Sequence, residues 1–136
     1  MIIFSNEKSE ALAKEVVDKI GATSGELEKK TFPDGEIYIR LKTSVKDEEI
    51  ALIYTTQSND DFLELLLTLS AAKENKSKKI LLFIPHMIYQ RQDTAFEDGE
   101  AVSAKMVLEL LDKYADEIYT VNAHYLESAG KQDFKG

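Results

Sequence analysis

Apolar positions along this chain change period repeatedly, from unbroken runs that read as strands to stripes spaced three or four apart that read as helices. Ile2-Ile3-Phe4 is a short buried strand. Ser5-Asn6 then caps a helix in which Leu12, Val16 and Ile20 recur at helical spacing, and Gly21 ends it. Glu26 to Phe32 and Ile37 to Leu41 form two strand-like runs around a Pro33-Asp34-Gly35 turn, a hairpin. In its second arm Ile37, Ile39 and Leu41 point one way, and Tyr38 and Arg40 the other. Ile50 to Tyr54 reads as a strand followed by a polar loop, Thr55 to Asp60. Phe62 to Ala72 is a helix apolar on most of its circumference, a pattern that requires burial on more than one side. Lys79 to Ile84 is apolar on both faces, as a strand inside a parallel sheet must be. Ser103 to Tyr114 is a helix with Val107, Leu110 and Leu111 inward, and Ile118 to Val121 is the last strand.

Strands alternating with helices of ten to fifteen residues imply βαβ units. The predicted fold is a three-layer α/β domain with a mainly parallel sheet and an antiparallel hairpin near the N-terminus. It forms one domain over residues 1–136, with no repeat, linker or low-complexity segment. In such sheets ligands gather at the carboxyl ends of the strands. Three segments stand there: the Thr55–Asp60 loop, the loop from Pro85 to Asp98, and Asn122-Ala123-His124.

Composition narrows the function classes. A net charge of −8 argues against a general nucleic-acid binder, which needs a basic footprint. The absence of cysteine excludes disulfides and thiolate metal sites and suits a reducing, cytoplasmic setting. The longest apolar stretch, Ile80 to Pro85, is too short for a bilayer, and the N-terminus turns polar too soon for a signal peptide, so no membrane association is expected.

Two segments carry chemistry. Phe32-Pro33-Asp34-Gly35-Glu36 offers an aromatic face and two carboxylates at a turn. Asp-Gly is ordinary hairpin chemistry, so a binding role requires that Phe32 be exposed and the carboxylates be free to accept from an exocyclic amine. Tyr89-Gln90-Arg91-Gln92-Asp93 leaves the doubly apolar strand. Its arginine is suited to a phosphate or a purine face, or else to an ion pair with Asp93, Glu97 or Asp98. Neither Gly-x-x-x-x-Gly-Lys nor Gly-x-Gly-x-x-Gly occurs, so side chains and not a glycine cradle would hold a nucleotide. His124 ends the last strand, and with Asp133 it would make an oxygen-rich site suited to Mg²⁺ bound partly through water. His86 has no evident partner in the sequence.

These segments, in this order, resemble the ribose-phosphate diphosphokinases. The resemblance covers nearly the whole chain: the Phe32 to Glu36 turn, Gln57-Ser58-Asn59-Asp60, Ile84-Pro85, Tyr89 to Asp93, Val102-Ser103-Ala104-Lys105, and Thr120 to His124. It implies a phosphoribosyltransferase-type fold and transfer of the β,γ-diphosphoryl group of ATP to ribose 5-phosphate. It implies further that Phe32, Asp34, Gly35 and Glu36 meet adenine across a subunit boundary in a homo-oligomer. Arg91 and Gln92 would hold ATP in their own subunit, while His124 and Asp133 would attend its Mg²⁺. Family members carry a second domain whose Asp-Asp-x-x-x-Thr-Gly loop grips ribose 5-phosphate, and no such segment occurs here. The only Asp-Asp, Asp60-Asp61, runs into Phe62-Leu63-Glu64. The resemblance therefore implies an ATP-binding half lacking the ribose 5-phosphate domain and inactive alone. The alternative is a stand-alone, non-catalytic nucleotide-binding or regulatory module that associates with full-length subunits. A receiver-like signalling domain is disfavoured, because Ser5-Asn6 follow the first strand where acidic residues would be needed.

Overall fold

In the computed structural model, residues 1–121 are described together with Ala123 and Gly130. The elements run β1 (Ile2–Ser5), α1 (Glu10–Ile20), β2 (Thr23–Ser24), β3 (Leu27–Thr31), β4 (Ile37–Leu41), β5 (Glu49–Ile53), α2 (Asn59–Glu74), β6 (Lys79–Ile84), α3 (Ser103–Asp112) and β7 (Glu117–Thr120), with a 3-10 turn at Glu7–Ser9. Five strands form one sheet in the order β2-β1-β5-β6-β7, and every pairing in it is parallel. Each crossover between parallel neighbours needs a connection long enough to return, and the alternation of apolar runs supplies it. Because all five strands are parallel, their carboxyl ends share one edge. β2, a two-residue strand at the other side of β1, was not evident from the pattern.

The sheet is covered on both faces. Ile2, Phe4, Ile50, Leu52, Tyr54, Ile80, Leu82 and Ile84 bury against Leu65 and Leu69 of α2 and Val107 and Leu111 of α3. The opposite face packs Ile3, Ala51 and Ile53 on Ala13, Val16 and Val17 of α1. The stripe on α1 therefore differs from the predicted one: Leu12 and Ile20 are 44% and 59% exposed. Small side chains at Ala13 and Ala51 allow helix and sheet to approach closely. Seating Ala13 turns its neighbour Leu12 away by about 100°. Asn6 stands at the N-cap of the 3-10 turn and not of α1, and its side chain makes no capping bond; its amide donates to the Thr55 carbonyl at 2.8 Å and ties β1 to the end of β5.

β3 and β4 pair antiparallel as a separate two-stranded sheet, as predicted, with Ile37, Ile39 and Leu41 half-buried and Tyr38 and Arg40 exposed. This hairpin lies on α2. Lys29 meets Glu64 at 2.5 Å, and the Glu64 side chain is only 5% exposed. The apolar circumference of α2 is thereby explained, since the sheet covers one side and the hairpin another. Leu63 alone among its large apolar residues is left well exposed. Gly25, between β2 and β3, lies against the buried Phe4 ring; a Cβ there would stand 2.4 Å from a ring carbon, so no side chain fits.

β6 is interior, flanked by β5 and β7, as its doubly apolar sequence requires. Its outer face is less covered than its inner one. Phe83 stacks on Tyr119 of β7 with ring centroids 4.6 Å apart, and both rings are well exposed. Among the described residues, no helix is long and apolar enough to cross a membrane.

Candidate functional site

Three connections emerge side by side at the carboxyl edge of the sheet: Asn6 after β1, residues 54–58 after β5, and residues 85–102 after β6. Asn6 is tied to Thr55, and the last two connections are knitted together by Thr56, which is fully buried. Its amide donates to the His86 carbonyl at 2.8 Å and its hydroxyl donates to the same oxygen at 3.2 Å. His86 Nδ1 donates back to the Thr56 carbonyl at 2.9 Å, and the Ile88 amide donates to Thr56 Oγ1 at 3.1 Å. This fixes the first turn of the long loop against the β5 loop.

The start of α2 belongs to the same edge. Ser58 is its N-cap, in a reciprocal box with Asp61. The Asp61 carboxylate accepts from the amides of Gln57 and Ser58 at 2.8 and 2.9 Å and from the Lys8 ammonium at 2.5 Å. Burial alone would push this carboxyl up, but the Lys8 ammonium and the converging N–H groups outweigh it and hold the pKa at about 2.

The Arg91 loop borders an open cavity of about 480 Å³ lined by residues 86–92 and Ser103, within the usual range for small-molecule sites. Tyr89 has a left-handed backbone, φ 63°. Its hydroxyl donates to Asn59 Oδ1 at 2.5 Å, and its ring meets Phe62 edge-on at 6.4 Å. Arg91 is exposed and forms no ion pair with another described residue, so the surface-pair alternative does not hold among them. Gln92 is pinned at both ends: its carbonyl accepts from the Ala104 amide at 3.1 Å, and its side-chain amide donates to Thr94 O and Glu100 Oε2. Glu100 also accepts from the amides of Phe96 and Glu97, at 2.7 and 3.2 Å, and these N–H groups lower its pKa.

At the hairpin tip, Phe32 is 47% exposed and stands edge-on to Tyr38 at 6.4 Å. The turn closes with Gly35 N–H on Phe32 O at 2.9 Å and Phe32 N–H on Glu36 O at 2.8 Å, and Gly35 takes φ 93°, which favours glycine. Asp34 Oδ1 accepts from the Glu36 amide at 3.2 Å, so part of its hydrogen-bonding capacity is spent on the turn. No hairpin residue lines the cavity of the Arg91 loop.

A family model described as the N-terminal domain of ribose phosphate pyrophosphokinase matches residues 1–114. The chain belongs to this family. Ribose-phosphate pyrophosphokinase 2 of Archaeoglobus fulgidus is 37% identical over 129 residues, covering 95% of this chain and 44% of that protein. The Pyrococcus furiosus ribose-phosphate pyrophosphokinase is 39% identical over 114 residues, which is 83% of this chain and 40% of the relative. A crystal structure of phosphoribosylpyrophosphate synthetase from Mycobacterium smegmatis superposes with a TM-score of 0.84 at 27% identity, over 90% of this chain and 42% of that one. The chain thus spans less than half the length of these relatives.

Within the family fold, the loop bearing Arg91 and Gln92 stands at the strand edge that the sequence indicated. Phe32, Asp34, Gly35 and Glu36 form the exposed tip of a hairpin that packs on α2. His124 and Asp133 lie outside the described residues. Among the described residues, no group of three or more His, Asp or Glu is arranged to hold a metal. The sequence placed Thr56 and Asn59 in a loop at this edge, but not the contacts they make, nor the positive φ of Tyr89. Their partners lie about thirty residues away in the chain, and no local signal announces such contacts.

Proposed function

We propose that the chain is the ATP-binding half of a ribose-phosphate diphosphokinase, an enzyme of nucleotide biosynthesis that converts ATP and ribose 5-phosphate to AMP and phosphoribosyl diphosphate. The observation that carries this reading is Arg91, exposed and without an ion-pair partner among the described residues, on a loop fastened at three points to the carboxyl edge of a family-type sheet. A guanidinium presented in this way is suited to a polyphosphate, and transfer between polyanions depends on positioning and charge neutralisation more than on covalent chemistry. Gln92 sits beside it, while Phe32, Asp34, Gly35 and Glu36 would approach adenine from a neighbouring subunit. Mg²⁺ would arrive on the nucleotide phosphates, largely hydrated, with His124 and Asp133 near it; when bound it supplies charge neutralisation.

Residues 1–136 hold no Asp-Asp-x-x-x-Thr-Gly loop with which to grip ribose 5-phosphate. Asp60-Asp61, the single Asp-Asp pair, is not available as a substitute phosphate grip, because Asp61 is buried in the α2 cap. The purified chain should therefore release no phosphoribosyl diphosphate from ATP and ribose 5-phosphate, yet bind ATP in a calorimetric titration. Turnover at a rate typical of an enzyme would overturn the half-enzyme reading. Binding without turnover, even when the remaining domain is supplied, would favour the regulatory module.

Self-association into a homo-oligomer follows from the cross-subunit role given to the hairpin tip. It is supported by apolar surface on the outer sheet face, where Phe83 and Tyr119 are 39% and 44% exposed. Light scattering at high micromolar concentration should find a dimer or larger species, and a strictly monomeric chain would count against it.

A further inference from the structure

The backbone at Tyr89 carries a conformation that a bulky side chain adopts only when its surroundings enforce it. Its φ is 63°, and glycine at this position would take the same turn without strain. Among the described residues, Asp47 and Lys76 are the other non-glycine positions with positive φ, and each is exposed in a turn. Tyr89 differs because its side chain is engaged at both ends of the ring. The hydroxyl donates to Asn59 Oδ1 at 2.5 Å and the ring edge meets Phe62. Both partners belong to the first turn of α2, which the Ser58–Asp61 box holds rigidly. Two residues further on stands the exposed Arg91.

We propose that Tyr89 is a positioning residue for the nucleotide loop. Clasped to Asn59 and Phe62, it maintains the left-handed turn that presents Arg91 and Gln92 at the carboxyl edge of the sheet. The role rests on the ATP-binding reading of that loop. Glycine would keep the turn accessible but not enforce it, so the tyrosine side chain, and not its backbone conformation alone, is what the site uses.

The test is ATP titration of the parent chain, Tyr89→Phe, Asn59→Ala and the double variant, alongside amide hydrogen exchange. Losing one hydrogen bond should weaken ATP binding about threefold to tenfold in either single variant. The double variant should be no weaker than the worse single, because both remove the same contact. Amides of residues 89–92 should exchange faster in the variants while those of β5 stay as protected as in the parent, which separates a loosened loop from unfolding. Equal ATP affinity in parent and Tyr89→Phe, or fully additive effects, would overturn the clasp while leaving the ATP reading intact. A parent without affinity for ATP would overturn the reading itself and this role with it. If Tyr89→Phe fails to fold, Asn59→Ala decides by the same two measurements.

Discussion

Replacing Arg91 by alanine is expected to weaken ATP binding about tenfold to a hundredfold. Hydrogen bonds to charged groups contribute about 1.5–3 kcal/mol each, and a factor of ten corresponds to about 1.4 kcal/mol. Arg91 is exposed and has no ion-pair partner among the described residues, so its removal should cost little stability. The loss should thus appear in affinity with the unfolding temperature nearly unchanged. Lysine at the same position should recover part of the charge effect and little of the bidentate geometry. Calorimetric titration of parent, Arg91→Ala and Arg91→Lys measures all three. Unchanged affinity in Arg91→Ala would remove this loop from the nucleotide site.

The second large effect concerns acid. Asp61 is held at about 2 in the folded chain, against an ordinary value of 3.8. A carboxyl depressed by folding stabilises the fold above its unfolded pKa, and that stabilisation disappears as pH falls through the folded value. It should therefore be fully present at neutral pH and be lost between about pH 4 and pH 2. The difference corresponds to about 2 kcal/mol, or on the order of 5–10 °C in midpoint for a domain of this size. Asp61→Asn removes the charge that receives Lys8 and the amides of Gln57 and Ser58. The variant should be less stable than the parent at pH 7 and nearly equal to it at pH 2. Thermal unfolding followed by circular dichroism across this range gives both slopes. Parallel slopes for parent and variant would show that Asp61 is not the group titrating. Because Asp61 also braces the start of α2, where Asn59 holds Tyr89, acid should loosen the Arg91 loop before the sheet unfolds.

Much of this architecture is legible in the residues themselves. Hydrophobic period is a local property, and it located the parallel strands β1, β5, β6 and β7, the β3–β4 hairpin with its inward and outward faces, and helices α1, α2 and α3. The Phe32 to Glu36 and Tyr89 to Asp93 segments, with the other segments in order between and after them, indicated the family to which the chain belongs. Period does not say how far a helix is rotated over its sheet. On α1 it favoured Leu12, Val16 and Ile20, whereas close packing of Ala13 on the sheet decided for Ala13, Val16 and Val17. It also could not say what covers the second side of α2; the hairpin does, with Lys29 meeting Glu64 across thirty-five residues of sequence. Several contacts that shape the candidate site are of this long-range kind. Lys8 reaches Asp61, His86 and Ile88 reach Thr56, and Tyr89 reaches Asn59. A side-chain hydrogen bond depends on the positions of two atoms to within a few tenths of an ångström. Those positions exist only once the sheet has brought its strand ends to one edge, so candidate residues such as Arg91 and Phe32 could be named from the chain, while the contacts that hold their loops in place were decided by the tertiary structure.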